Sequence, residues 1–158
     1  MSLNLRPSML DDIGLLPTLQ WFFERFTAQT GIKVRFSTDK LTDRFSADIE
    51  ITVFRIIQEA LTNIARYAKV KEALVGLALQ EDTLWVEILD RGRGFDASAV
   101  FDKPTTGLSS MHERTDLAGG YLVVNSYINQ GTQILAALPR TDKPVERRKN
   151  VRINPFGG

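Results

Sequence analysis

The sequence predicts an α/β (α+β) two-layer sandwich, in which a mixed, mostly antiparallel sheet carries helices on one face. Its 158 residues fit one domain and are enough to bury a sizeable core. Apolar residues recur either at helical steps or in short strand-like runs, in the order helix, strand, helix, two strands, helix, two strands. The runs of the last two strand pairs are separated by tight turns, which predict antiparallel hairpins.

The first helix is predicted from Gly14 to about Gln29, where apolar residues recur at three- and four-residue steps. Pro17 falls in its first turn, where proline is tolerated because that N–H has no partner inside the helix. Gly31 ends the helix. Residues 32–37 then alternate apolar and polar side chains, which predicts a strand.

The second helix is predicted over residues 47–68, with a buried apolar stripe. Residues 73–79 and 83–89 follow as a hairpin around the turn at 80–82. After an irregular segment, a short helix spans about 107–118 and is closed by two glycines. The last strand pair covers 121–127 and 132–138. No internal repeat and no low-complexity segment interrupts this order.

Composition narrows the function classes. The chain is 43% hydrophobic and 25% charged, has no stretch of 18 apolar residues and shows no secretory signal, so we expect a cytoplasmic domain without membrane contact. The absence of cysteine excludes disulfides, thiolate zinc sites and cysteine nucleophiles, and one histidine excludes a multi-histidine metal site. A net charge of +1 argues against nucleic acid as a partner.

Three segments are predicted along the chain. Residues 1–13 are interpreted as a connector, because Pro7 and two adjacent aspartates interrupt any long helix. Residues 14–139 form the domain. Residues 140–158 contain six basic and two acidic residues, a net charge of +4, and are interpreted as a solvated, flexible tail.

A polar stripe on the second helix is the first candidate site. At about 100° per residue, Glu59, Asn63, Arg66 and Tyr67 fall on one line, away from the apolar face. Magnesium keeps most of its waters and takes few protein oxygens, with phosphates supplying the rest, so one asparagine is a sensible ligand. The alternative is an ordinary solvated helix face.

The glycine-rich turn DRGRGFD at 90–96 is the second candidate. Asp90 ends an apolar strand, where a buried carboxylate requires a partner such as the exocyclic amine of adenine. Gly92 and Gly94 allow a sharp turn and close approach to a ligand. A simple turn is the alternative. The segment is not a dinucleotide fingerprint, because Ala97 stands at the third glycine position, and the chain has no phosphate-binding GxxxxGK[ST] loop.

Two further signals lie later in the chain. Thr106, Gly107 and Leu108 open a helix, whose free N–H groups and positive dipole end suit a phosphate. Alternatively, Thr106 is only the N-cap of that helix. Thr132, which follows Gly131 at the start of the last strand, has a hydroxyl that either reaches a base or belongs to an ordinary strand threonine.

These signals occur in the order found in the GHKL ATPases, which include histidine kinases, gyrase-type topoisomerases, mismatch-repair ATPases and a heat-shock chaperone. FRIIQEALTNIARYA at 54–68 resembles their N-box, and DRGRGFD resembles their first glycine box. GLSSMHERTDLAGGYL at 107–122 resembles the second glycine box of the nitrate- and desaturase-sensor branch of histidine kinases. The entry segment of that branch is similar to residues 5–22. The resemblance covers residues 5–139 and implies the Bergerat fold.

The resemblance implies two cofactors, ATP and Mg²⁺. Asp90 would accept from the adenine amine, Gly92 and Gly94 would line the base pocket, and Thr132 would contact the base or its water. Because guanine carries a carbonyl where adenine carries the amine, the expected preference is for ATP over GTP.

For the phosphate end, the resemblance implies that Asn63 ligates magnesium and that Glu59 helps to position it or handles a proton. These two are the predicted catalytic residues. Arg66 would lie near the phosphates, and residues 96–106 would form the ATP lid. The other cofactor-binding residues predicted from the motifs are Tyr67, Thr106, Gly107 and Leu108.

The sequence departs from the branch pattern at two positions. Tyr67 stands where the branch usually carries histidine, and His112 stands where a basic residue is usual. No phospho-accepting histidine motif and no full dimerisation helices are found. The expected partners are therefore the dimerisation domain of a parent kinase, soluble or membrane-anchored, and indirectly a response regulator. His112 itself is interpreted as a polar surface residue.

Three other functions remain open at this point. A serine-kinase anti-sigma factor has the same fold, although the entry segment and the GLSSMHER box favour the histidine kinase. A nucleotide-sensing module would bind ATP without chemistry, and a scaffold would bind no ligand. The expected enzyme is a histidine protein kinase that does not phosphorylate itself as this domain alone.

Overall fold

The computed structural model describes residues 8–39, 41, 44–96, 107–140 and 144–146. Apart from one short helix within the predicted connector, its helices and strands follow the predicted order, with bounds that differ from the predicted ones by one or two residues. The helices are α1 (Met9–Ile13), α2 (Leu15–Thr30), α3 (Ala47–Asn63), which continues into a π-helical turn (Ile64–Ala68), and α4 (Leu108–Leu117). The strands are β1 (Lys33–Asp39), β2 (Glu72–Gln80), β3 (Thr83–Asp90), β4 (Tyr121–Tyr127) and β5 (Gly131–Pro139).

The five strands form one sheet in the order β1-β2-β3-β5-β4. Only β1 and β2 are parallel, because helix α3 carries the chain back across the sheet between them. The pairs β2–β3, β3–β5 and β4–β5 are antiparallel. The predicted mixed, mostly antiparallel sheet is therefore confirmed.

Local sequence signals explain where the elements begin and end. Helix α2 stops at Gly31, whose left-handed backbone lets its N–H bond back to the helix. Helix α3 begins after Ser46, whose hydroxyl accepts from the N–H of Ile49. The β2–β3 turn places Glu81 and Asp82 at positive φ, the backbone that matches the twist of a two-residue hairpin.

The main core lies between the helices and one face of the sheet. Aromatic rings join α2 to α3, with Phe22 and Phe54 packed edge-on at 5.4 Å between centroids. Leu10 of α1 is also buried in this core, although it belongs to the predicted connector. An ion pair ties the same region to α3, because Arg44 holds the buried Glu50 at 3.0 Å and also donates to the carbonyl of Asp11.

The opposite face of the sheet carries a second, smaller apolar cluster. Trp85, Leu135 and Ala137 are buried there, and the Trp85 and Tyr121 rings meet edge-on at 6.2 Å. Val145 packs against this cluster, and its N–H donates to the carbonyl of Gly119 at 2.8 Å. At least this part of the predicted solvated tail therefore lies against the sheet.

We expect Val145→Ala to make the side chain of Trp85 more accessible to solvent. The variant loses two methyl groups that contact the cluster, which should lower the free energy of unfolding by about 1 kcal/mol. In a Trp21→Phe background Trp85 is the only tryptophan, so its emission should move to longer wavelength and be quenched more readily by acrylamide. Glu146→Ala, at an exposed neighbour, is the control. Unchanged emission and stability in Val145→Ala would contradict the packing role.

Candidate functional site

A cavity of about 410 Å³ opens between the C-terminal end of α3 and the adjacent ends of β3 and β5. Its volume is in the range of small-molecule sites, and its wall is mostly apolar with a few polar groups. The lining residues are Ala60, Asn63, Ile64, Tyr67, Ala68, Ile88, Asp90, Arg93, Gly94, Phe95, Leu108, Thr132 and Ile134.

Three polar side chains form a row across the strands, and two of them lie at the floor of the cavity. Asp90 of β3 pairs with Thr132 of β5, and Thr132 pairs with Ser126 of β4. Directly paired residues point to the same face of a sheet, so the three side chains are neighbours. The hydroxyl oxygens of Ser126 and Thr132 are 2.8 Å apart. Asp90 and Thr132 reach the cavity wall.

Asp90 is the buried charge of this row, with only 4% of its surface exposed. Its Oδ1 accepts from the N–H of Gly92 at 2.8 Å. Burial raises the pKa of Asp90 above its ordinary value, while the bond from Gly92 acts in the opposite direction. Because a carboxylate has acceptor capacity on both oxygens, Asp90 can still accept a hydrogen bond from a ligand in the cavity.

The glycine-rich segment after Asp90 is pressed between α3 and the β4–β5 turn. The N–H of Arg93 donates to the carbonyl of Ala68 at 3.1 Å. Gly94 has φ +60°, and a Cβ there would overlap the carbonyl oxygen of Tyr127. A Cβ on Gly92 would overlap the carbonyl oxygen of Ala68. Both positions therefore require glycine for the segment to lie this close to its neighbours.

The helical side of the cavity includes a change of helix type. Asn63 ends the α-helical part, and Ile64–Ala68 form a π turn. A π turn holds more residues than an α turn, so a stripe drawn at α-helical spacing does not continue through it. Tyr67 remains on the cavity wall with 49% of its surface exposed. Arg66 is exposed and is not among the described residues of the wall.

Glu59 lies one turn before Asn63, beside the start of α4. A Cβ on Gly107 would come within 2.6 Å of Oε2 of Glu59, so the carboxylate lies directly against this glycine. Gly107 has φ +69° and immediately precedes Leu108, whose side chain is buried and lines the cavity. The contact ties the N-terminal end of α4 to α3.

Residues 48–142 match the family described as histidine kinase-, DNA gyrase B-, and HSP90-like ATPase. The match takes up more than half of the chain. The chain belongs to this family. The oxygen sensor histidine kinase NreB of Staphylococcus carnosus (strain TM300) is 39% identical over 142 residues, which are 90% of this chain and 41% of that protein. The chain thus spans about two fifths of the length of this curated relative.

Solved structures share the fold of this ATPase domain. The histidine kinase domain of the Erythrobacter litoralis EL346 blue-light activated histidine kinase matches with a TM-score of 0.63 and 21% identity, over 78% of this chain and 60% of that one. The Acinetobacter baumannii histidine kinase AdeS matches with a TM-score of 0.63 and 16% identity, over 81% and 64%. Together with the family match, they confirm the predicted fold class.

The cavity of the ATPase domain brings together six of the predicted site residues. They come from four separate parts of the sequence: Asn63, Tyr67, Asp90, Gly94, Leu108 and Thr132. Their roles toward a ligand stay predictions, but their convergence on one cavity follows from the fold of the ATPase family.

The other predicted site residues lie elsewhere. Gly92 packs against Ala68 and Val70, and Glu59 and Gly107 contact each other beside the cavity. Arg66 is exposed and is not among the described residues of the cavity wall. Thr106 and the rest of the predicted lid after Asp96 fall outside the described residues.

Sequence reasoning missed most of the apolar wall of the cavity and one cation that lines it. Arg93 lines the cavity between the two glycines of the first glycine box. Strand periodicity could have found Ile88 and Ile134, because each lies two residues from Asp90 or Thr132 and so shares its face of the sheet. Phe95 has no such signal, because it lies in an irregular segment.

The described ranges contain neither a metal-ligand cluster nor a helix suited to span a membrane. No group of three or more histidine, cysteine or acidic residues is placed there to hold a metal ion. No helix in the same ranges has the length and apolar character needed to cross a bilayer. His112 of α4 is half-buried rather than fully on the surface, and it is not on the described cavity wall.

The buried Asp90 should make stability depend on pH in a definite direction. Its pKa is raised in the folded state, so its contribution to stability is fully present at low pH and is lost as pH rises through that raised pKa. Asp90→Asn carries no charge to bury. The free energy of unfolding of the variant, relative to the wild type, should therefore increase as pH rises from about 4 toward neutrality. Urea denaturation without nucleotide measures this, and a difference that does not change with pH would contradict it.

Proposed function

We propose that this domain binds Mg·ATP in the cavity and donates the γ-phosphate to a histidine on the dimerisation domain of a parent kinase, in two-component signal transduction. The observation that carries the proposal is the buried Asp90 carboxylate beside Thr132 at the floor of the cavity. A buried carboxylate is costly unless it is paired, and a ligand amine would add a donor to the one that the Gly92 N–H supplies. Adenine has that amine.

The base would enter between the sheet and the π turn. Ile88, Ile134 and Phe95 supply apolar surface around the polar floor, as a flat heteroaromatic ring requires. Opposite Asp90, the adenine amine donates, whereas the guanine carbonyl would set acceptor against acceptor. The same floor therefore accounts for the expected preference for ATP over GTP.

The phosphates would extend toward Asn63. Its carboxamide oxygen on the cavity wall fits Mg²⁺, which needs few protein ligands when phosphates and water supply the others. The ion would neutralise phosphate charge during transfer. Arg93 lines the cavity and is the better placed of the two candidate arginines to face an anion, while Arg66 is exposed outside it. Glu59 would position the phosphate end through Gly107 or handle a proton.

Transfer would break the bond between the γ-phosphorus and the β,γ-bridging oxygen and form a bond to an imidazole nitrogen, with ADP leaving and the imidazole losing its proton. The acceptor must lie in line with the leaving oxygen. His112 is fixed on α4 and is outside the described cavity wall, so it is not the acceptor we propose. The relative NreB is named a sensor histidine kinase, which supports this function over an anti-sigma factor, with a response regulator as the final recipient.

We expect Asn63 and Asp90 to act on opposite ends of the nucleotide. Asn63→Ala should reduce the gain in ATP affinity that magnesium provides by about tenfold, because one ligand to the ion is lost. Binding of ADP without metal should stay nearly intact. Asp90→Asn should weaken binding with and without metal. Calorimetric titration of each variant, with magnesium and with EDTA, measures the two effects.

Asn125→Ala is the matched control, because Asn125 is an exposed asparagine of β4 that hydrogen bonds only to Gln133 among the contacts seen at its side chain. It should bind as the wild type does. If Asn63→Ala lost metal-free binding as badly as metal-dependent binding, Asn63 would be a structural residue of the wall.

The phosphotransfer itself is tested with γ-labelled ATP. The chain alone should bind ATP and take up almost no acid-labile phosphate. Adding a dimerisation-domain fragment of the parent kinase should produce acid-labile label on that fragment, because the acceptor can then approach in line. Asn63→Ala should abolish this transfer.

His112→Gln is the informative companion variant. It should leave transfer to the dimerisation fragment unchanged. Stoichiometric labelling of the chain alone, abolished by His112→Gln, would contradict both the role of His112 and the need for a second domain. Binding of ATP with no labelling of any fragment would favour a nucleotide-sensing module.

A further inference from the structure

Ser126 is a buried hydroxyl directly behind the floor of the cavity, and neither the glycine boxes nor the N-box include it. Only 4% of its surface is exposed. It lies on β4, paired with Thr132, and it is not among the described residues that line the cavity. Its Oγ accepts from the N–H of Phe95 at 2.9 Å, so it also supports the segment that follows Gly94.

The hydroxyl of Ser126 has one proton and two lone pairs, and it has three neighbours to satisfy. The Phe95 N–H uses one lone pair. The carbonyl oxygen of Gly131 lies at 3.2 Å and can only accept, whereas the hydroxyl of Thr132 lies at 2.8 Å and can do either. Two arrangements are possible, since Ser126 can donate either to Gly131 or to Thr132.

Donation to Gly131 satisfies more of this buried network. Ser126 then gives its proton to the carbonyl, and its second lone pair accepts the proton of Thr132. Three hydrogen bonds form. Donation to Thr132 makes only two, and it leaves the Thr132 proton to find a partner in the cavity. Because unmade hydrogen bonds of buried groups are costly, the first arrangement is favoured.

This arrangement determines which hydrogen-bonding atoms Thr132 presents to the cavity. With its proton committed to Ser126, it presents only lone pairs to the cavity. Asp90, its cross-strand neighbour, presents carboxylate oxygens. The floor therefore consists of two adjacent acceptors and offers no side-chain donor from either residue.

We propose that Ser126 is a specificity-determining residue, which fixes the Thr132 hydroxyl as an acceptor so that the floor admits a base with an amino group and rejects one with a carbonyl at that place. The inference rests on the proposed binding of a purine nucleotide and extends it. Ser126 acts through Thr132 and needs no contact with the ligand, so it is a positioning residue.

Three nucleotides that differ at position 6 of the purine, and in the proton that inosine alone carries on N1, separate the effects. ATP carries the amine, purine riboside triphosphate carries hydrogen, and inosine triphosphate carries the carbonyl. In the wild type we expect affinity to fall in that order. The step from hydrogen to carbonyl measures repulsion of the carbonyl by the acceptors, less any hydrogen bond that the N1 proton of inosine donates to them, and it should be about tenfold or more.

Ser126→Ala removes the acceptor that holds the Thr132 proton, so this hydroxyl becomes free to donate to a carbonyl. The step from purine riboside triphosphate to inosine triphosphate should shrink by about tenfold. In a Thr132→Val background, Ser126→Ala should leave that step unchanged, because no hydroxyl is left to reorient. Titration of the four proteins with the three nucleotides completes the cycle.

A purely structural role of Ser126 would weaken all three nucleotides equally and leave their ratios unchanged, which would overturn the inference. If Ser126→Ala does not fold, Thr132→Val decides alone: it should weaken ATP relative to purine riboside triphosphate, and no such loss would overturn the acceptor assignment. Failure of the wild type to bind any of the three nucleotides would instead contradict the proposed function. If the wild type prefers ATP but Ser126→Ala leaves the affinity ratios unchanged, only this inference would be contradicted, and the proposed function would stand.

Discussion

The antiparallel pairing of β3 with β5 is the constraint on which the site depends. It sets Asp90 beside Thr132, and through β4 it adds Ser126, although these residues are far apart in sequence. A slip of one residue would turn each side chain to the other face of the sheet. The register is held from both sides, because Trp85, Leu135 and Ala137 are buried on one face while the alternate residues fill the main core. Packing of two apolar faces thus fixes the position of a polar row.

The polar row conflicts with the stability of the fold that holds it. Burial of Asp90 raises its pKa, so the ionised form that can accept from an amine is the form that the empty protein holds least well. The bond from the Gly92 N–H offsets part of this cost, and it requires the glycine-rich segment to fold back against α3. The two glycines therefore support the carboxylate, whatever they contribute to a ligand. A bound amine would relieve the remaining cost, which couples binding to stability.

The fold could be predicted from the sequence, because the helical periodicity, the strand periodicity and the turn residues all indicate the same order of elements. Asn63 and Asp90, whose motifs lie on regular elements, reach the same cavity, while their roles toward a ligand stay predictions. The sequence was less informative where the backbone departs from a regular α-helix or strand. Arg66 of the π turn is exposed and is not among the described residues of the wall, and Arg93 was overlooked because a turn gives no periodicity. Contacts of Val145 across the sheet depend on tertiary packing that no local pattern records.

In this site the direction of each hydrogen bond matters as much as the position of its atoms. Shape alone separates two purines weakly, because an amine and a carbonyl occupy nearly the same volume. The direction of the hydrogen bonds separates the two purines strongly, because a carbonyl in place of an amine sets one buried acceptor against another. An ionised carboxylate can only accept hydrogen bonds, whereas a hydroxyl can accept or donate. Thr132 would therefore weaken the discrimination between an amine and a carbonyl unless another group held its proton. Ser126 can do so only because Gly131 takes the proton of Ser126 in turn. The proposed selectivity at the floor would therefore extend to a backbone carbonyl that no ligand needs to touch.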